Sequence, residues 1–184
     1  MPIGRRERKK AATRRALTDA AMRLFVARGF DAVTVREIAD AADVSTTTLM
    51  NHFPTKAALV FDRDDEIERA LVATVAKGSS RPSVLAALRG YMRARASRVV
   101  AERRTAFIKL VRATPALADY WQQMWMRHED VLARALAKRL RKPAGDLWCG
   151  AVAHFALGAA ALAEDSQHPA QMIEVAFDIL ERGA

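Results

Sequence analysis

The residues best suited to chemistry with an outside partner stand in one short stretch, VSTTTLMNHFPTK, residues 44–56. Ser45, Thr46, Thr47, Thr48, Asn51 and His52 offer hydroxyl, amide and imidazole groups that both donate and accept hydrogen bonds. Leu49 and Phe53 sit four apart within the same stretch, the spacing of one apolar helix face. Threonine loses χ1 freedom in a helix, so three in a row weaken the element that carries them. Packing does not call for such residues on the outer side. A helix that gives up stability for an outward row of hydroxyls and an amide is suited to base edges in a DNA major groove, where Thr and Asn donate, accept or touch the thymine methyl.

Covalent chemistry has less support. His128, Glu129 and Asp130 are adjacent but lack the His-Glu-x-x-His spacing of a metal site. Cys149 is the single cysteine, five residues from His154, with no third group implied. The sequence predicts no catalytic residues, no metal site, no cofactor and no enzyme. One cysteine also forbids an intrachain disulfide, which suits a reducing compartment.

The elements that would position the polar stretch are helical. Strand alternation and tight hairpin turns are absent from the pattern. A first helix is expected over 8–28, with Leu17, Ala20, Ala21, Leu24 and Phe25 on one face and Gly29 as its stop. Thr34 and Glu37 have the spacing of a capping box, with Val33 and Ile38 as a hydrophobic staple, so a short second helix is predicted to end near residue 42. Ser45 is expected to cap the third and Pro54 to end it. Thr55 would then cap a long fourth helix over 56–77, before a Gly-, Ser- and Pro-rich linker at 77–83. Further helices are expected over 83–101, 103–113, 115–140, 145–164 and from Pro169 to about residue 182. The predicted fold is all-α: a three-helix helix-turn-helix domain, residues 1–55, followed by a roughly six-helix domain, residues 56–184, for ligand binding and dimerisation.

Charge points to the same kind of partner. The chain of 184 residues carries 30 Lys+Arg against 21 Asp+Glu, a net +9. Residues 5–15 hold seven basic side chains against Glu7 alone, a local excess of +6. Such an N-terminal basic arm suits phosphate contact and salt-dependent affinity. Lys56 at a helix N-terminus is a further candidate for phosphate contact, and Arg36 on the outer face of the second helix for a phosphate or a guanine edge. Membrane association is disfavoured, because the apolar residues near the arm are needed for the helix-turn-helix core. The most apolar run, 151–163, is too short to span a bilayer. With no secretory leader in the pattern, a cytoplasmic protein is expected.

The stretch RRALTDAAMRLFVARGFDAVTVREIADAADVSTTTLMNHFPTKAAL, residues 14–59, resembles without a gap the N-terminal domain of the TetR family of transcriptional regulators. The resemblance implies an all-α homodimer, usually a repressor of a palindromic operator, released by a small ligand in the C-terminal domain. By it Thr34, Arg36, Ser45, Thr46, Thr47, Thr48, Asn51, His52 and Lys56 fall at DNA-facing positions, while Met50, on the outward face of the third helix, is a candidate for contact with a base methyl. The chain departs from the family pattern at three places: Asp43 stands where Gly is usual, and Met50 and His52 where Tyr is usual. A ligand-independent or architectural DNA-binding protein, or an activator of the same family, is the alternative reading.

The second half matches the family mainly in helix count. RTAFIKLVRATPALADYWQQMWMRHEDVLARALAKRL, residues 104–140, resembles a subgroup that includes regulators responding to fatty acyl-CoA. Phe107, Val111, Tyr120, Trp121, Met124, Trp125 and His128 are candidate lining residues for an apolar or acyl-CoA-like effector. Arginines at 93, 95, 98, 103, 104 and 112 and Lys109 are candidates for its anionic head. The runs 150–163 and 172–180 are the expected homodimer surface, with Phe155, Leu162, Ile173, Phe177 and Leu180 supplying apolar area in a four-helix bundle.

Overall fold

The computed structural model describes the backbone of residues 4–62, 64–98 and 101–183, and side chains there except at 98, 101–105, 164, 165 and 183. Among the described residues the fold is all-α. Nine α-helices run in the order α1 (Arg5–Arg28), α2 (Val35–Ala41), α3 (Thr46–His52), α4 (Asp64–Val75), α5 (Arg81–Arg98), α6 (Ala101–Ala113), α7 (Pro115–Arg139), α8 (Leu147–Asp165) and α9 (Pro169–Gly183). A 3-10 turn, Ala57–Leu59, lies between α3 and α4. No described helix is long and apolar enough to cross a membrane. The chain divides into two compact units, residues 1–62 with 106–121, and residues 63–105 with 122–184.

In the first unit α1 packs against α2 and the 3-10 turn, and α2 packs against α3. Leu17, Ala21, Phe25, Val33, Ile38, Ala39, Leu49, Phe53 and Leu59 are essentially without solvent exposure and form its core. Val35 at the start of α2 and Val44 just before α3 are half-buried. The basic arm is not an extended tail. Helix α1 begins at Arg5, because Arg, Lys, Glu and Ala are good helix formers and nothing after Gly4 interrupts them. Its stop, Gly29, adopts φ 84° and ψ 157°, a conformation open to glycine almost alone.

The expected long fourth helix over 56–77 is not formed. Residues 57–61 are five apolar residues in a row, with no 3.6-residue period to hold a helix to one face. Leu59, Val60 and Phe61 are all buried by leaving the helix path. Thr55 still acts as a cap, its hydroxyl accepting from Ala58 N–H at 3.2 Å, but for the 3-10 turn. Helix α4 starts instead where Asp64, Asp65 and Glu66 place three carboxylates in a first turn, next to the positive end of the macrodipole.

The second unit is a helical bundle. Helix α9 packs against both α5 and α8, and α4 against α5. Leu71, Val75, Val84, Leu88, Leu132, Leu136, Ala153, Ala156, Ile173 and Phe177 are the centre of its core. Arg89 ties α5 to α9 through Glu174 at 3.5 Å, Asp178 at 2.5 Å and Glu181 at 3.2 Å. The presumed linker at 77–83 is a close-packed turn between α4 and α5. Gly78 is buried there, and its carbonyl accepts from the Arg139 guanidinium. Ser83 Oγ accepts from the N–H groups of Ser79 and Ser80, both at 2.9 Å.

A Cβ on Gly78 would lie 2.6 Å from Val84 Cγ2, 2.7 Å from Val84 N and 2.8 Å from its Cα. Two of these atoms are backbone and cannot swing aside. Gly78→Ala is therefore expected to destabilise the chain by about 1–3 kcal/mol, read as a lower urea midpoint at unchanged slope.

Candidate nucleic-acid interface

The interface is assembled from caps inward. Thr34 opens α2 with a complete capping box. Glu37 N–H donates to Thr34 Oγ1 at 3.2 Å, and Thr34 N–H donates to Glu37 Oε2 at 2.7 Å. Arg28 of α1 donates to the other carboxylate oxygen of Glu37 at 2.7 Å and to the Ala32 carbonyl at 2.9 Å. The Thr34 backbone N–H, then Arg28, then the Thr34 hydroxyl lower the Glu37 carboxyl from an ordinary 4.5 to about 2.

Helix α2 ends in a Schellman motif. Val44 N–H donates to the Ala39 carbonyl at 3.0 Å, and Asp43 N–H to the Asp40 carbonyl at 3.2 Å. Asp43 is left with φ 53°, in the left-handed region that explains why glycine is usual there. A short polar side chain makes the conformation tolerable. The turn brings Ser45 to the start of α3, where its Oγ accepts from Thr48 N–H at 3.1 Å and pairs with Thr48 Oγ1 at 2.8 Å.

Helix α3 then has two distinct sides. Leu49 is completely buried and Phe53, just beyond the helix, is nearly so, while Thr46, Thr47, Met50 and Asn51 are exposed. The side chains of Thr46, Thr47 and Asn51 have no hydrogen-bond partner among the described residues. Thr48 is half-buried and its hydroxyl is committed to Ser45. Arg36 projects from α2 almost fully exposed, with only a 3.9 Å approach to Asp40. Such a surface pair contributes little. His52 is half-buried at the end of α3.

Two cations expected to face outward are turned inward. Lys56 donates to the carbonyls of Phe30 at 2.8 Å and Val33 at 3.0 Å, and its ammonium lies 4.1 Å from the centre of the Phe30 ring. It therefore holds the α1–α2 loop against the turn after α3. Arg14, counted above with the basic arm, donates to the carbonyls of His52 at 3.2 Å and Asp62 at 3.0 Å. It also pairs with the Asp62 carboxylate at 2.5 Å and lies 4.3 Å over Phe53. The sequence did carry a signal for Arg14: it precedes Leu17 and Ala21 by three and seven residues, on the buried stripe of α1.

The family profile described as "Bacterial regulatory proteins, tetR family" matches residues 17–62, and one described as "MftR C-terminal domain" matches residues 78–184. The chain belongs to the TetR family. It is 31% identical over 144 residues to the HTH-type transcriptional regulator TcmR of Streptomyces glaucescens, covering 74% of this chain and 64% of TcmR, so it spans less than two thirds of that relative. It is 25% identical to MftR of Mycobacterium tuberculosis, a protein named for the transcriptional regulation of mycofactocin biosynthesis, over 96% of this chain and 93% of MftR. The crystal structure of a TetR-family regulator from Streptomyces coelicolor superposes with a TM-score of 0.59 at 25% identity, covering 90% of this chain and 89% of that one. The chain is a TetR-type transcriptional regulator with a DNA-binding helix-turn-helix.

The seven effector candidates of this TetR regulator divide between its units. In the first unit Phe61 collects three of them: it stacks on Tyr120 at 4.9 Å, meets Phe107 edge-on at 5.7 Å and contacts Trp121 at 5.6 Å. Val111 is buried in the same unit. In the second unit Met124 is buried, Trp125 packs against the core, and His128, wholly buried, pairs through Nε2 with Asp64 Oδ1 at 2.6 Å. A surface cleft of about 800 Å3 in the second unit is lined by Gln123, Met126, Arg127, Glu129, Asp130 and His154, none of them among the seven. Of the proposed head-group cations, Arg93 is paired with Glu174 at 3.2 Å, and the side chains of Arg98, Arg103 and Arg104 lie outside the described residues. Burial pushes the Cys149 thiol up to about 11, so it carries no thiolate near neutral pH.

Helices α8 and α9 also differ in part from expectation. Phe155 and Leu162 are exposed, but Ile173 and Phe177 are fully buried in their own unit, and Leu180 packs against the same core. Positions 173, 177 and 180 share one helix face, which the bundle takes. The outward apolar residues of α9 are Val175 and Ile179.

Two outcomes test this geometry. Asp43→Gly is expected to fold with equal or greater stability, whereas Asp43→Val, β-branched in a left-handed position, should lose about 1–2 kcal/mol in thermal or urea unfolding. Because the folded pKa of Glu37 is depressed, its contribution is complete above about pH 4.5 and disappears as pH falls through about 2. The difference in melting temperature between the native chain and Glu37→Gln should therefore be largest near neutral pH and close progressively on acidification, as followed by circular dichroism.

Proposed function

We propose that this regulator is a repressor that binds a palindromic operator as a homodimer and leaves it when a small-molecule effector binds. The observation that carries the reading is the outer side of α3, where Thr46, Thr47, Met50 and Asn51 are exposed around a fully buried Leu49. In this reading Asn51, Thr46 and Thr47 read base edges and Met50 meets a thymine methyl. Arg36, His52 and the hydroxyl of Thr34 or Ser45 serve phosphates, and Thr48 and Lys56 hold the frame. Residues 1–55 form the DNA-binding domain and residues 56–184 the effector and dimerisation domain.

Dimerisation rests on a stripe of α8, Leu147, Ala151, Phe155, Gly158 and Leu162, with Val175 and Ile179 on α9, all exposed. Phe155 is 57% and Ile179 69% exposed, a large apolar area for an isolated chain to leave in water. Binding of a two-fold dimer to a palindrome calls for two recognition helices about 34–36 Å apart, one turn of DNA, or a multiple of it. The effector is taken to be apolar or acyl-CoA-like, on the strength of the aromatic residues Phe107, Tyr120, Trp121 and Trp125. The site of action is the cytoplasm.

The test begins with duplexes selected from a random pool by the wild-type chain. Asn51→Ala and Thr47→Ala should each reduce the preference for the selected duplex over a scrambled one by about five- to a hundredfold while leaving the helical signal intact. Phe155→Glu with Ile179→Glu should sediment as a monomer and lose the selected duplex. A wild-type chain with no preference for any duplex would overturn the reading.

A further inference from the structure

His52 closes the recognition helix with an imidazole whose Nδ1 is buried and has no hydrogen-bond partner. That leaves Nε2 as the nitrogen open to an outside group. The Phe53 ring lies beside it, 6.4 Å between ring centres. The charged groups acting on it come from α1: Arg14, which donates to the His52 carbonyl, and Lys10, one turn earlier on the same stripe. Asp62, the carboxylate of this neighbourhood, is paired with Arg14 at 2.5 Å. Two cations and partial burial thus surround an imidazole that has no anion of its own among the described residues. Burial first, then Arg14 and Lys10, hold His52 below its ordinary 6.5, so the ring is neutral in the free chain near neutral pH.

We propose that His52 takes up a proton from solvent when the chain binds DNA, which makes operator affinity rise as pH falls. The proposal rests on the reading of α3 as the DNA-facing helix. A backbone phosphate placed against Lys10, Arg14 and His52 supplies the missing anion. It offsets the repulsion between the cations, accepts a charge-assisted hydrogen bond from Nε2–H, and by its negative charge favours the imidazolium, in which the added proton sits on Nδ1. The complex then binds more protons than the free partners, so by linkage the association constant increases on acidification. The window runs from the pKa of the complex down to that of the free chain, and affinity levels off below both. A tyrosine at this position would serve the same phosphate without any pH dependence in that range.

The experiment measures Kd by fluorescence anisotropy at constant ionic strength, at about pH 8, 7 and 6, on the duplex selected by the wild-type chain. Wild type should bind about three- to tenfold more tightly per protomer at the acid end. His52→Gln keeps a donor but cannot titrate, and should bind with an affinity that no longer follows pH. His154→Gln and His168→Gln should retain the full dependence. Nuclear magnetic resonance of the labelled imidazole should place the His52 pKa higher in the complex than in the free chain. A wild-type affinity independent of pH overturns the proposal and leaves the DNA-facing reading standing. So does a pH dependence that survives in His52→Gln, because the proton is then taken up elsewhere. Failure of the wild-type chain to prefer any duplex at any of the three pH values removes both.

Discussion

Arg14 stands one turn before Leu17 on α1, and its guanidinium is shared among the carbonyl that ends α3, the carbonyl and carboxylate of Asp62, and the face of Phe53. Helix α3 depends on contacts of this kind. Helix α3 has seven residues, far below the length at which a helix persists alone in water, and three of them are threonines. Its stability must therefore come from tertiary packing. Leu49 and Phe53 supply burial, and Arg14 fixes the C-terminal end that burial alone would leave free to fray. Lys56 performs the matching task on the loop before α2, through Phe30 and Val33. Two cations that lie at first sight among DNA-binding charges are spent inside the protein, and the outer side of α3 is free to carry residues chosen for contact.

What could be read in the sequence divides along the range of the interactions. Caps are local, so the pairing of Thr34 with Glu37 and the capping role of Ser45 were visible in short spacings, whereas Asp43 stood out only against the glycine usual in the family. The inward turn of Lys56 was not, because its partners are main-chain carbonyls 23 and 26 residues away, and a carbonyl leaves no trace in residue identity. Residues 57–61 misled for another reason: an unbroken apolar run is compatible with a helix, a strand or an irregular buried segment. The acidic group at 64–66 carried the better information about where α4 begins. In α9 the composition pointed to an apolar surface but the phase decided it, since Ile173 and Phe177 face inward while Val175 and Ile179 do not.

The effector site was the least legible part. An aromatic residue in sequence announces burial, not a ligand. Phe107, Tyr120 and Trp121 satisfy that requirement against Phe61 within the first unit, without any guest. His128 was a candidate lining residue among these aromatic side chains. Its Nε2 is accounted for by Asp64, the first residue of α4, to which Arg127 also donates at 2.9 Å. Packing explains these residues individually, and that is why their types alone could not separate a pocket wall from a core.

The helical state of the basic segment changes how its charge can act. In an extended arm all seven cations of residues 5–15 could follow a groove together. On α1 successive residues are turned by about 100°, so the charges are spread around the helix. Arg6, Lys10 and Arg14 share one side; Arg5, Arg8, Lys9 and Arg15 lie on the other. Arg14 is already committed within the fold. Whichever side meets a duplex, only part of the local +6 can neutralise phosphates at once, and the salt dependence of affinity should reflect that smaller number rather than the count of basic residues. The side that includes Lys10 leads along α1 directly to His52, so a phosphate bound there is placed where the recognition helix ends. In the proposed reading, backbone contact and base reading are thereby coupled through one rigid helix.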